Sequence, residues 1–305
     1  EWHLKHDSPL TSNVEGHVSL HSHSVRISKS AQDLGLAGSE AVAFARSGWG
    51  KIATIIVPAN HAWESATSAH GKIEGDDFRK IPVSRIEKIA NALSSSKKTA
   101  VLLGGRGLLE TATDVANRIS QVGDITLLCE TFAARMQRGA GRVSLTRVPY
   151  FAEQAIEFLS EYEQIILIGA KEPVGFFAYP EVESLLVPRD CEIHTLAGVD
   201  EDVQSALSIL AELVKAPKET IKQKSNIASP TGEILSPANI GDVIAELLPE
   251  NAIISDEGIT CGLELFLRTE GAAKHDWLSI TGGAIGQGLP VSLGASVACP
   301  DRKVV

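Results

Sequence analysis

Apolar and polar positions along this chain alternate between two periods. In "GKIATIIVPAN" (50–60) a β-branched run stopped by Pro58 predicts a buried strand. Before it, "SAQDLGLAGSEAVAFAR" (30–46) places Leu36, Val42, Ala43 and Phe44 at helical spacing. Residues 64–85 are polar and unpatterned, with Gly71, Gly75 and Pro82, and read as a linker. A regular alternation follows. Strands are predicted in "KTAVLLGG" (98–105), "DITLLCE" (124–130), "EQIILIGA" (163–170) and "CEIHTL" (191–196). Helices are predicted in "LLETATDVANRIS" (108–120), "PYFAEQAIEFLSEY" (149–162) and "VDEDVQSALSILAELV" (199–214). A second linker, "KQKSNIASPTGEILSP" (222–237), leads to a helix at 238–249 and a strand with its turn in "NAIISDEG" (251–258). The glycine-rich "TGGAIGQG" (281–288) then opens a last helix, "PVSLGASVA", whose Gly294, Ala295 and Ala298 suit tight packing on a sheet. Strands alternating with helices make an α/β protein with parallel sheets, whose ligands sit beyond the carboxyl ends of the strands.

Composition narrows the picture. The 305 residues are 44% hydrophobic but only 5% aromatic, as expected for sheets packed with aliphatic side chains. A net charge of −10 argues against a nucleic-acid or anionic-membrane surface, which needs basic patches. The four cysteines are scattered, and Cys129 and Cys299 read as buried small hydrophobes rather than disulfide or thiolate-metal partners. No apolar run reaches the roughly 18 residues of a membrane span, and no signal-peptide pattern is present, so a cytoplasmic location is expected. The chain opens on Glu1, its only methionine is Met136, and it stops on "KVV" where a further buried strand would start. An internal piece of a longer protein is the expectation.

Several constellations are candidates for chemistry. Gly282, Gly283, Gly286 and Gly288 free the backbone of Cβ atoms, as a tight strand–helix corner or a loop pressed against a ligand would require. "SDEGIT" (255–260) offers turn amides and the Thr260 hydroxyl to an anion. Asp256 and Glu257 would repel that anion unless a divalent cation lies near or they turn aside to cap a helix. Gly104, Gly105 and Gly107, with Glu130 closing the next strand, approximate a dinucleotide fingerprint of loose spacing. His17, His21 and His23 cluster, the last two alternating as on one face of a strand, without a carboxylate or cysteine beside them.

Taken in order, "NAIISDEGIT" and "ITGGAIGQGLPVSLGASVACPDRKVV" resemble the diphosphate-binding domain of thiamine-diphosphate enzymes, in the branch of benzoylformate decarboxylase and acetolactate-synthase-like large subunits. "HLKHDSPLTSNVEG" (3–16) and "IATIIVPANHAW" (52–63) resemble the end of that family's pyrimidine-binding domain, and residues 86–225 its central domain. The resemblance implies the end of a pyrimidine-binding domain at 1–63, a linker at 64–85, a central α/β domain at 86–221, a linker at 222–237 and the start of a diphosphate-binding domain at 238–305. It assigns cofactor binding to Asp256, Ile259, Thr260, Gly282, Gly283, Ala284 and Ile285. The Gly283 carbonyl would accept a hydrogen bond from the cofactor's aminopyrimidine, and Ile285 would wedge beneath it and force its bent shape. Magnesium would accompany the diphosphate. Its Gly-Asp-Gly…Asn ligands are expected beyond Val305 and the tautomerising glutamate before Glu1, so these 305 residues alone would be inactive. The implied activity is decarboxylation of a small 2-oxo acid with carboligation, in a homodimer or homotetramer. Simple decarboxylation of the benzoylformate decarboxylase type and a nucleotide-binding or assembly module are the alternatives. "GAKEPVGFFAYP" (169–180) has no histidine where benzoylformate decarboxylase places a proton relay. The resulting apolar lip favours carboligation.

Overall fold

The computed structural model describes residues 5–48, 50–67, 69–75, 77–231 and 234–305. The chain divides into two compact units, Glu1–Arg79 and Lys80–Val305.

In the first unit, α1 (Val14–Ser19) leads to β1 (Ser24–Ile27), α2 (Ala31–Ala45), β2 (Ala53–Ile56) and α3 (Ala59–Trp63). β1 and β2 pair in parallel from Ser24↔Ala53 to Ile27↔Ile56. Ser30 starts α2 by accepting the Asp33 N–H at 3.1 Å, the local bond that serine favours at an N-cap. The histidines do not share a strand face. His17 lies on α1, His21 follows that helix, and the His23 ring accepts the Ile52 N–H at 3.1 Å. His3 lies outside the described residues.

The second unit begins with α4 (Val83–Leu93), which starts after Pro82 and so inside the stretch that reads as linker. Its Ile86, Ile89 and Leu93 form one buried face. A five-stranded sheet has the order β6 (Thr146–Arg147), β4 (Ile125–Cys129), β3 (Thr99–Leu103), β7 (Gln164–Ile168), β8 (Glu192–Ala197), every pair parallel. β3 divides its side chains by parity. Val101 and Leu103 join the core with α4, α5 (Glu110–Ser120) and α7 (Val203–Leu213), while Ala100 and Leu102 join that of α6 (Ala152–Leu159). Each fully buried aliphatic side chain contributes about 1.5–3 kcal/mol, which is why strands this apolar sit between two helical layers. The predicted helix at 108–120 begins later, because a single 3₁₀ turn at Gly105–Leu108 precedes α5.

A smaller sheet has the order β5 (Met136–Arg138), β10 (His275–Ser279), β9 (Ala252–Asp256). β9 and β10 are parallel, and β5 runs antiparallel along β10. Alternation and run length do not announce β10, whose first residues, His275 and Asp276, are polar yet buried. Asp276 is held by Arg135 at 2.6 Å and Arg302 at 3.2 Å. Through β5, residues from the middle of the chain complete the sheet that carries the glycine loop. α8 (Pro237–Leu247) and α9 (Gly262–Arg268) pack together beside it. α10 (Gly288–Ala298) departs from expectation: Gly294 faces open space and Leu289, Leu293 and Val297 are exposed. α10 lies along β9 with Ala295 half-buried, while Gly294 and Ala298 stay exposed. Cys299 is half-buried rather than buried, and all four cysteines are free.

Candidate cofactor site

Adjacent parallel strands deliver both candidate loops to one edge. The register ends with Leu278↔Ser255 and Ser279↔Asp256, so residues 257–261 and 281–287 leave β9 and β10 side by side. Two contacts tie them together, and one closes the second loop back onto β10. The Ser255 hydroxyl donates to the Gly288 carbonyl at 3.0 Å, the Gln287 side-chain amide donates to the Ser279 carbonyl at 3.1 Å, and the Gly288 N–H donates to the Glu257 carboxylate.

In the first loop, Asp256 builds the turn. Its Oδ1 accepts the Gly258 N–H at 2.9 Å, and the carboxylate lies so close to Gly262 that a Cβ there would stand 2.6 Å from Oδ1. Burial pushes the Asp256 carboxyl above its usual range, opposed by the Gly258 N–H and the Arg147 charge. Glu257 reaches past α9 to the start of α10, and the N–H groups of Gly288 and Gly286 hold its pKa below the usual range. Both acids are engaged by backbone N–H groups of these two loops. Ile259 and Thr260 are exposed, and among the described residues their N–H groups meet no acceptor. Among the described residues the Thr260 hydroxyl meets the Cys261 sulfur, at 3.8 Å.

In the second loop, Gly282, Gly283 and Gly286 have φ of +62°, +66° and +100°, a region that L side chains rarely occupy. The Ile285 N–H bonds the Gly283 carbonyl at 3.0 Å, leaving that oxygen a second lone pair. Ala284 is exposed, and the Ile285 side chain projects outward with 76% of its surface accessible.

The expected apolar lip stands against this loop. A Cβ on Gly283 would lie 3.1 Å from Phe176 Cζ. Phe176 packs edge-on against Phe132 and Phe177, with centroids 5.7 and 4.9 Å away, and Tyr150 lies 5.7 Å from it. Phe177 continues to Tyr179 at 6.3 Å. These rings come from segments after β4, before α6 and after β7, the last closed by an antiparallel bridge Val174↔Leu185. In a chain this poor in aromatics, they gather at one edge.

Gly262, Gln287 and Ser255 escape a reading based on site motifs. Ser255 bonds Gly288 in the later loop, Gln287 bonds Ser279 and Gly262 faces the Asp256 carboxylate, contacts that no motif marks.

The dinucleotide-like motif has its own explanation. A Cβ on Gly104 would stand 2.7 Å from the Gly169 carbonyl, and one on Gly169 would stand 2.5 Å from the Gly104 carbonyl. These glycines let the loops after β3 and β7 touch. Glu130 accepts the Gly105 N–H at 3.3 Å, and burial raises its pKa.

No family model matches the sequence. Among solved structures, the Rhodococcus jostii RHA1 thiamine diphosphate-dependent 4-hydroxybenzoylformate decarboxylase superposes with a TM-score of 0.72 at 18% identity, over 93% of this chain and 57% of that one. Benzoylformate decarboxylase from Polynucleobacter necessarius gives 0.70 at 15% identity, over 97% and 60%. The fold is that of the thiamine-diphosphate-dependent enzymes. A Mycobacterium tuberculosis (strain ATCC 25618 / H37Rv) protein, provisionally named acetolactate synthase large subunit IlvX, is 38% identical over 304 residues. That match takes in 100% of this chain and 58% of the relative. The chain thus shares its fold with the benzoylformate decarboxylases and is similar in sequence to a protein named for acetolactate synthase, and it spans little more than half the length of these relatives.

Proposed function

We propose that the protein containing this sequence decarboxylates a small 2-oxo acid with thiamine diphosphate and transfers the acyl group to a second carbonyl, as an acetolactate-synthase-like enzyme. The observation that carries the reading is the pairing of the 257–261 turn with the 281–287 loop at the carboxyl ends of β9 and β10. The residues suit the group at both ends. Unpaired Ile259 and Thr260 amides and the Thr260 hydroxyl suit phosphate oxygens. The Gly283 carbonyl and the exposed Ile285 side chain suit a flat heterocycle that must be hydrogen-bonded and bent. Bound, that group supplies a nucleophilic carbon and an electron sink for loss of carbon dioxide.

The chain's own residues orient and exclude. Gly283 would hold the pyrimidine by its main chain, and Ile285, stiff at Cβ, would fix the bend. Gly282 and Ala284 set the path of the loop between them. Asp256 acts through the turn it closes. Phe176 and its neighbours set an apolar wall beside Gly283, and the 169–180 segment brings no histidine to return a proton. Both features favour carboligation over release of an aldehyde. Magnesium belongs to this proposal. Its ligands are expected from the Gly-Asp-Gly…Asn motif that the resemblance places outside these residues. A homo-oligomer and a cytoplasmic location are part of the same reading; no helix among the described residues is long and apolar enough to cross a membrane.

The test uses the whole protein. Calorimetric titration with thiamine diphosphate and magnesium should saturate, and pyruvate should then yield a carboligation product in excess of acetaldehyde. Benzaldehyde from benzoylformate, with no ligation product from either acid, would favour the decarboxylase alternative. Absence of cofactor binding would overturn the proposal.

A further inference from the structure

Glu257 stands on one loop and bonds the other. Its carboxylate accepts the Gly288 N–H, and the Gly286 N–H is turned toward it. It lies flush on the start of α10: a Cβ on Gly288 would meet Glu257 Oε2 at 2.9 Å and Glu257 Cβ at 3.0 Å. Both amides belong to the first turn of an eleven-residue helix or the residues just before it, where N–H groups lack intrahelical acceptors. The three residues before Gly286 are those offered to the heterocycle, and the three after Glu257 include the amides offered to the phosphates.

We propose that Glu257 is a positioning residue that locks the glycine loop to the phosphate-binding turn, so that Gly283 and Ile285 are held at a fixed distance from Ile259 and Thr260. The inference rests on the thiamine-diphosphate reading for its ligand, but the lock itself is a property of the protein alone. It also divides the amides between two tasks. Those of Gly286 and Gly288 are taken by the protein's own carboxylate, and those of Ile259 and Thr260 are left for a ligand. Loss of a charge-assisted bond that holds a glycine-rich segment releases backbone freedom which binding must then remove.

The test compares Glu257→Ala, Glu257→Gln and Gly288→Ala in the whole protein. Amide hydrogen exchange without cofactor should quicken over residues 281–288 in Glu257→Ala and Gly288→Ala, while β3 and β7 exchange as in the wild type. Thiamine diphosphate with magnesium should bind these two variants about ten-fold more weakly. Glu257→Gln, which keeps an acceptor oxygen, should recover most of both properties. Unchanged exchange over 281–288 in Glu257→Ala overturns the lock, as does a glutamine variant no better than alanine. Equal cofactor affinity in wild type and Glu257→Ala overturns its positioning role. If the wild type binds no cofactor, the functional reading fails while the exchange experiment still decides the lock.

Discussion

His275 should make the glycine-bearing sheet sensitive to acid by an amount that the structure sets. The residue is fully buried on β10, with Nδ1 2.7 Å from the Ala273 carbonyl, and that geometry makes Nδ1–H the donor. Its Nε2 has no hydrogen-bond partner among the described residues. Protonating it would place an unpaired N–H and a positive charge in the core, near Arg138 and Arg142. Burial, opposed by the Ala273 bond and reinforced by the two arginines, holds its pKa down at about 4 against an ordinary 6.5. Between these values the unfolded chain carries a proton that the folded chain does not. Stability therefore falls as pH drops through that window. The full displacement corresponds to about 3 kcal/mol, of which about 2 kcal/mol is already lost by pH 5. Glu130 and Asp256, whose carboxyl pKa values burial raises, act in the opposite sense, so the measurement must be a difference. His275→Asn keeps a donor near the Ala273 carbonyl and cannot titrate. Urea unfolding of both proteins from pH 7.5 to 4.5 should show the wild type losing about 2–3 kcal/mol more than the variant. Parallel loss in the two proteins, or an imidazole that titrates near 6.5 by NMR, would refute the argument.

Other positions give sharper local tests. Gly262→Ala sets a methyl 2.6 Å from Asp256 Oδ1 and should cost about 1–3 kcal/mol by urea unfolding. Combined with Asp256→Ala, the cost should be clearly less than the sum of the single changes. Gly104→Ala drives a methyl to 2.7 Å from the Gly169 carbonyl and 2.9 Å from Ala170 Cα, backbone atoms that cannot swing aside, and should lower stability by about 1–3 kcal/mol. Cys129 is fully buried with its thiol pushed up to about 12, so a maleimide at pH 8 should leave it untouched in the folded protein. Exposed Cys261 should label, and mass mapping of the modified peptides would show the reverse order if this were mistaken.

What was legible in advance has a common physical character. The runs at 98–105, 124–130 and 163–170 form strands because Val101, Leu103, Leu128 and Ile166 lie in a sheet covered on both faces, and burial of that kind leaves continuous apolar runs. The positive φ angles at Gly282, Gly283 and Gly286 were implied by residue type, since only glycine takes them freely. β10 and β5 were not legible. His275, Asp276 and Arg138 are buried against partners that the chain supplies from far away, and local patterning scores them as polar.

The sequence by itself determined an α/β chain with parallel strands, the positions of its glycine turns and a resemblance to thiamine-diphosphate enzymes. These depend on local spacing and on atoms each residue carries with it. Tertiary structure alone decided that Asp256 folds into its own turn, that Glu257 spans to Gly288, that Phe176 meets Gly283 and that Gly104 faces Gly169. The last three are contacts between separate loops, and their distances are set by the register of the strands that carry them rather than by spacing along the chain.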